Sequence, residues 1–266
     1  MKFSVGDATY WYEVHGSGEP IVLLHGFTGS TKTWAPFVTD WENDFQIITI
    51  DLPGHGRTQI DTPRSMEACC EDLSQLFEHL SLHSFHLIGY SMGGRTALSF
   101  AMLYPNYINS LILESSSPGL EMEEDRHKRQ VNDETLAQRI EKEGVASFVK
   151  FWENIPLFET QKKLDEHIQR SIREERLAQS KEGLASSLRF MGTGSQPNWW
   201  GKLNTLKQPV LLIVGELDEK FVRMNQRMRE SLPNSQLIVV NNAGHAIHVE
   251  QPEIFGKIVK EFIFDR

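Results

Sequence analysis

The chain has 266 residues, 39% of them hydrophobic, enough for a sizeable core and too many for wholesale disorder. Its 36 acidic and 27 basic side chains leave a formal charge of −9, the wrong sign for a dedicated nucleic-acid binder, and no nucleic-acid partner is expected. The two cysteines, Cys69 and Cys70, are too few for a disulfide scaffold and too close for a structural pair, and no Cys/His cluster has zinc spacing.

No apolar stretch follows Lys2, so no signal peptide is expected. The longest aliphatic runs fall far short of the ~20 residues of a membrane helix, so the expectation is a cytoplasmic protein without membrane insertion. Residues 3–14 alternate and predict an antiparallel hairpin at a sheet edge. Continuous apolar runs at 21–24, 45–50, 85–88, 108–113, 210–214 and 236–240 read as strands buried on both faces. Helical patterns at 66–80, 92–104, 221–231 and 253–262 lie between them, so the fold class is α/β with a mostly parallel sheet.

Residues 121–182 break that rhythm, with 15 acidic and 12 basic side chains and no strand-like run. They read as several amphipathic helices. The expected division is a core of residues 1–118 and 201–266 with a helical cap, 119–200, inserted between two strands. An insertion after a strand's carboxyl end lies where α/β sheets bind ligands. The alternative is a solvated helical extension with no role in a site.

Gly89-Tyr90-Ser91-Met92-Gly93 is a G-x-S-x-G string between an apolar strand and a helix. Small residues two positions either side of the serine permit a sharp, strained turn that exposes its Oγ. A serine hydroxyl needs a base, and His245, in a loop just after the last strand, is the candidate. The acid that orients the imidazole is Asp218, after strand 210–214, with Glu216 in reserve. The order Ser91, Asp218, His245 is that of α/β-hydrolases. Backbone N–H groups of Phe27 and Met92 are the expected oxyanion donors. His25 and His55 read as structural hydrogen-bonding histidines, and His248 and Glu250 as residues that position the His245 loop. Arg95 lies one helical turn beyond Ser91 on a nearly apolar helix. Either it pairs with a protein carboxylate or it points into the pocket and receives an anionic substrate group.

The whole chain resembles the α/β-hydrolase superfamily. More narrowly, it resembles the 2-succinyl-6-hydroxy-2,4-cyclohexadiene-1-carboxylate synthase family of menaquinone biosynthesis. The likeness is carried by HGFTGS (25–30), GYSMGGR (89–95), SSSPGL (115–120), WENIPLF (152–158), MGTGSQP (191–197), GELDEKF (215–221) and AGHAIH (243–248). The resemblance implies an α/β-hydrolase fold with a helical cap and a carbon–oxygen lyase that eliminates pyruvate from an enolpyruvyl cyclohexene carboxylate. It also implies no metal or organic cofactor and a small polycarboxylate substrate gripped by arginines. Arg95 matches the family's elbow arginine, Arg129 the second, and Arg173 is taken as the third, with Arg126, Arg176 and Arg189 near enough to be confused with these. Tyr90 and Trp152 match pocket residues. Serine esterases, thioesterases and carbon–carbon bond hydrolases share the fold and triad, and a non-catalytic receptor is the third class. Oligomeric state has no signal in the sequence.

Overall fold

The computed structural model describes residues 1–265; Arg266, the last residue of the expected core segment 201–266, lies outside the described residues. The edge hairpin forms as expected. β1 (Lys2–Val5) pairs antiparallel with β2 (Ala8–Gly16), with Phe3 opposite Tyr10. Then follow β3 (Glu19–Leu24), β4 (Phe45–Ile50), β5 (Gln59–Ile60), β6 (Phe85–Tyr90), β7 (Ile108–Glu114), β8 (Val210–Gly215) and β9 (Ser235–Val240). The sheet order is β1-β2-β4-β3-β6-β7-β8-β9, with β5 on β2. β2 runs antiparallel to β4, and every neighbour from β4 to β9 is parallel. Two-residue β5 was absent from the sequence reading, because two residues carry no periodicity.

Apolar runs without polar alternation fit because both faces of the sheet are covered. In β3, Val22 and Leu24 pack into one core cluster and Ile21 and Leu23 into the other, all four fully buried. α2 (Met66–His79) and α3 (Met92–Leu103) cover the first face, through Leu73, Phe77, Leu98 and Phe100. α1 (Ala35–Trp41) and the C-terminal helix cover the second, through Phe37, Trp41, Phe255 and Val259. Each such side chain contributes about 1.5–3 kcal/mol by leaving water.

The segment between β7 and β8 holds helices joined by loops and no strand, and it packs on the carboxyl edge of the sheet rather than projecting into solvent. It comprises α4 (Glu123–Trp152), bent at Gly144 with φ +81°, a 3₁₀ stretch (Pro156–Lys163), α5 (Glu166–Leu177) and α6 (Lys181–Met191). Ala137, Ile140, Phe148, Leu184 and Leu188 form its own apolar cluster, against which Phe27 of the core packs. Polar contacts fasten it to two core loops. The Glu175 carboxylate accepts from the Ser30 and Thr33 hydroxyls at 2.6 and 2.9 Å. The Gln179 amide accepts from Gly56 N–H and donates to the Gly29 carbonyl. The chain continues through β8, α7 (Glu219–Ser231), β9, the short α8 (Ile247–Glu250) and α9 (Pro252–Phe264), the C-terminal helix. Among the described residues, no helix is long and apolar enough to cross a membrane.

Candidate active site

Parallel strands deliver their loops to one edge, and the candidate residues gather there. Ser91 joins β6 to α3 with φ +50° and ψ −104°, a conformation that costs a non-glycine residue of order 1–3 kcal/mol. The turn closes because its flanks are glycines. A Cβ on Gly89 would lie 2.3 Å from the Gly93 carbonyl oxygen, and one on Gly93 would lie 2.1 Å from that of Leu24.

The structure brings the three expected side chains into one hydrogen-bonded chain. His245 Nδ1 lies 2.6 Å from Asp218 Oδ2, and its Nε2 lies 3.0 Å from Ser91 Oγ. With the proton on Nδ1 donated to Asp218, Nε2 is free to accept from the serine. Asp218 also caps α7, accepting from Phe221 N–H. Glu216, the reserve acid, is exposed and accepts instead from Asn242 N–H. Glu250 takes the N–H groups of Gly244 and Ala246, on either side of His245, and the Thr160 hydroxyl of the cap. His25 is structural: its Nδ1 donates to the Gly26 carbonyl and its Nε2 accepts from Leu52 N–H. His55 donates to the Pro53 carbonyl, and burial holds its pKa down to about 3. Met92 N–H heads α3, where no helical carbonyl lies four residues earlier to accept it. Among the described residues, Phe27 N–H likewise meets no protein acceptor.

A cavity of about 200 Å³ opens over Ser91 and His245, lined by Phe27, Tyr90, Arg95, Arg129 and Trp152 among others. Arg95 is half-buried, and its guanidinium donates to the Met191 carbonyl and the Gln196 amide oxygen at 2.8 and 2.9 Å. Among the described residues, no carboxylate stands within ion-pair distance of it. Burial, aided by the positive charge of Arg129, pushes its pKa down to about 9, with Asp133 opposing. Of the two readings of Arg95, the protein-carboxylate pair is the one the geometry removes. Arg129 lines the same cavity while bridging to Asp133 at 2.8 Å. The Trp152 indole N–H is buried there without a partner.

Arg173 is a correction. It does not line the cavity over Ser91; half exposed, it pairs with Glu153 at 3.0 Å in a separate groove of about 380 Å³ on the cap. The buried arginine of that helix is Arg176, which donates to Gln161 and lies over the Phe158 ring at 4.7 Å. The physical reason is packing: Phe158 and Gln161, beneath α5, select which arginine turns inward. Arg189 bridges Glu134 and Glu141 and serves the cap. Sequence reasoning passed over Phe158, Phe221 and Lys220 in the cavity wall. Lys220 stands two residues after Asp218, and its place in the first turn after the acid was the available signal. Among the described residues, no cluster of three His, Cys, Asp or Glu could hold a metal ion.

This combination, a strained serine on a strand-to-helix turn under a helical cap, defines an α/β-hydrolase class of site. The family model for the alpha/beta hydrolase fold matches residues 19–252, and the chain belongs to that family. It is 46% identical over 268 residues to a Bacillus subtilis (strain 168) protein named as a 2-succinyl-6-hydroxy-2,4-cyclohexadiene-1-carboxylate synthase, covering 99% of this chain and 95% of that one. The solved structure of MenH from S. aureus superposes with a TM-score of 0.92 at 36% identity, over 96% of this chain and 98% of the other. A thermophilic esterase from Thermogutta terrifontis, solved with malate bound, gives 0.85 at 29% identity over 97% and 94%.

Proposed function

We propose that the chain is a carbon–oxygen lyase of menaquinone biosynthesis. It would eliminate pyruvate from 2-succinyl-5-enolpyruvyl-6-hydroxy-3-cyclohexene-1-carboxylate to give 2-succinyl-6-hydroxy-2,4-cyclohexadiene-1-carboxylate. The observation that carries this reading is Arg95: a half-buried guanidinium in the cavity wall without a carboxylate partner, one turn beyond Ser91 and beside Arg129, in a chain 46% identical to a synthase of that name. Holding an unpaired charge out of water is costly, and a substrate with three carboxylates supplies the missing anion. A neutral ester does not.

The chemistry follows from substrate and product. His245, oriented by Asp218, draws the proton from Ser91 Oγ, and the serine oxygen takes the hydrogen from ring carbon 2, beside the succinyl carbonyl. The released electron pair forms an enolate whose oxyanion is met by the Phe27 and Met92 N–H groups. As the ketone re-forms, the ring double bond moves to C2–C3. A new one forms at C4–C5 while the C5–oxygen bond breaks, and pyruvate leaves as its enolate to be protonated. Arg95 and Arg129 hold the carboxylates, with Tyr90 and Trp152 walling the ring. The division into a core (1–118, 201–266) and a cap (119–200), action without metal or organic cofactor, and a cytoplasmic location belong to the same reading.

Mixing the protein with freshly generated enolpyruvyl intermediate tests it. Release of pyruvate well above the spontaneous rate is expected, and Ser91→Ala is expected to lose at least about 10³-fold in kcat. No release from folded protein, with turnover of simple esters instead, would establish the hydrolase reading.

A further inference from the structure

Behind the triad lies a second acid–imidazole couple. Glu114, the last residue of β7, is fully buried, and so is His248, three residues beyond His245. His248 Nδ1 sits 2.8 and 3.0 Å from the two Glu114 carboxylate oxygens, and the His248 backbone N–H donates to the same carboxylate at 3.0 Å. The Glu114 backbone carbonyl accepts the Ser91 N–H at 2.8 Å. One residue therefore grips the nucleophile's turn with its main chain and the base's loop with its side chain. The surroundings are aromatic: the His248 ring lies 4.5 Å from that of Tyr90 and 4.9 Å from that of Trp34. Tyr90 in turn approaches His245 at 5.5 Å.

A carboxylate in such a place is expensive unless it is paired and hydrogen-bonded. An apolar residue at β7's end would fill the same space without that cost. What it could not do is accept the His248 backbone N–H and so fix the loop on which His245 rides. We propose that Glu114 and His248 are positioning residues for the triad, setting the separation of Ser91 from His245. The proposal rests on the reading of Ser91, Asp218 and His245 as the triad and is independent of which substrate they serve.

The test compares three variants by thermal unfolding, by the ¹⁵N shifts of the His245 ring nitrogens, and by kcat and KM for pyruvate release. Glu114→Gln keeps a side-chain acceptor for the backbone N–H and is expected to stay close to the parent. Glu114→Leu removes both acceptors, and Glu114→Leu with His248→Phe restores an apolar fill that should recover folding. In the double variant, kcat is expected to fall about tenfold or more with KM little changed, as displacement of a catalytic group predicts. The His245 shifts should move away from those of the Asp218-bonded ring. A folded double variant with the parent's kcat and His245 shifts would overturn the proposal. If the parent releases no pyruvate, the functional reading falls, and the His245 shifts still decide this one.

Discussion

At the scale of single residues, Arg95 is where stability and function pull apart. Burial disfavours its charged form and pushes its pKa down from the usual guanidinium range to about 9. The sign follows: the cost of burying its charge is present at all lower pH and is relieved as pH rises past 9. Arg95→Met, which fills similar space without charge, is expected to raise the unfolding temperature by a stabilisation of about 1 kcal/mol or more. The same variant is expected to raise KM for the polycarboxylate about tenfold or more, the equivalent of one lost charge-assisted hydrogen-bond pair. Thermal melts and steady-state kinetics on one preparation read both. A variant that is less stable and binds normally would make Arg95 a structural residue.

At the scale of elements, the cap is held on the core by contacts that leave little slack. Gly183 of α6 and Gly54 of the loop after β4 approach so closely that a Cβ on Gly183 would lie 2.3 Å from the Gly54 carbonyl oxygen. That oxygen is backbone and cannot swing aside. Gly183→Ala is therefore expected to push α6 off the core, costing about 1–3 kcal/mol in urea unfolding and weakening substrate binding. Unchanged stability and KM would show that the two segments move apart freely. The elements themselves were largely legible. Runs such as 108–113 and 210–214 announce strands because both faces are buried, and GYSMG announces the turn because only glycine tolerates its contacts. The orientation of α5 was not legible. Arg173 and Arg176 stand about 60° apart around a helix, and neither has a carboxylate three or four residues away to mark it as the surface one. Which one turns inward depends on Phe158 and Gln161, supplied by a different segment. α1 was missed for a related reason: seven residues present too few turns for a period, and Phe37 and Trp41 reveal their role only against α9.

At the scale of the whole molecule, buried histidines set an acid limit to stability. His55 has its pKa lowered to about 3, mainly by burial, and His25 is lowered by burial as well. Above pH 6.5 His55 is neutral in folded and unfolded chains alike and has no effect. As pH falls from 6.5 toward 3, the unfolded chain takes up the proton and the folded one does not, so stability is lost over that window. Between pH 7 and pH 5 His55 alone accounts for about 2 kcal/mol. Urea unfolding at the two pH values is expected to show the loss, and to show less of it in His55→Gln. An equal loss in both proteins would place the acid sensitivity elsewhere.

The proposed catalysis turns on one event, removal of a carbon-bound hydrogen from the ring by the serine that His245 activates. The measurement that meets it most directly is pyruvate release from substrate carrying hydrogen or deuterium at ring carbon 2, with parent and Ser91→Ala. A slower kcat/KM for the deuterated substrate, and collapse of the rate in the variant, are the predicted results. Equal rates for both isotopes together with undiminished release by Ser91→Ala would contradict the mechanism and the site together.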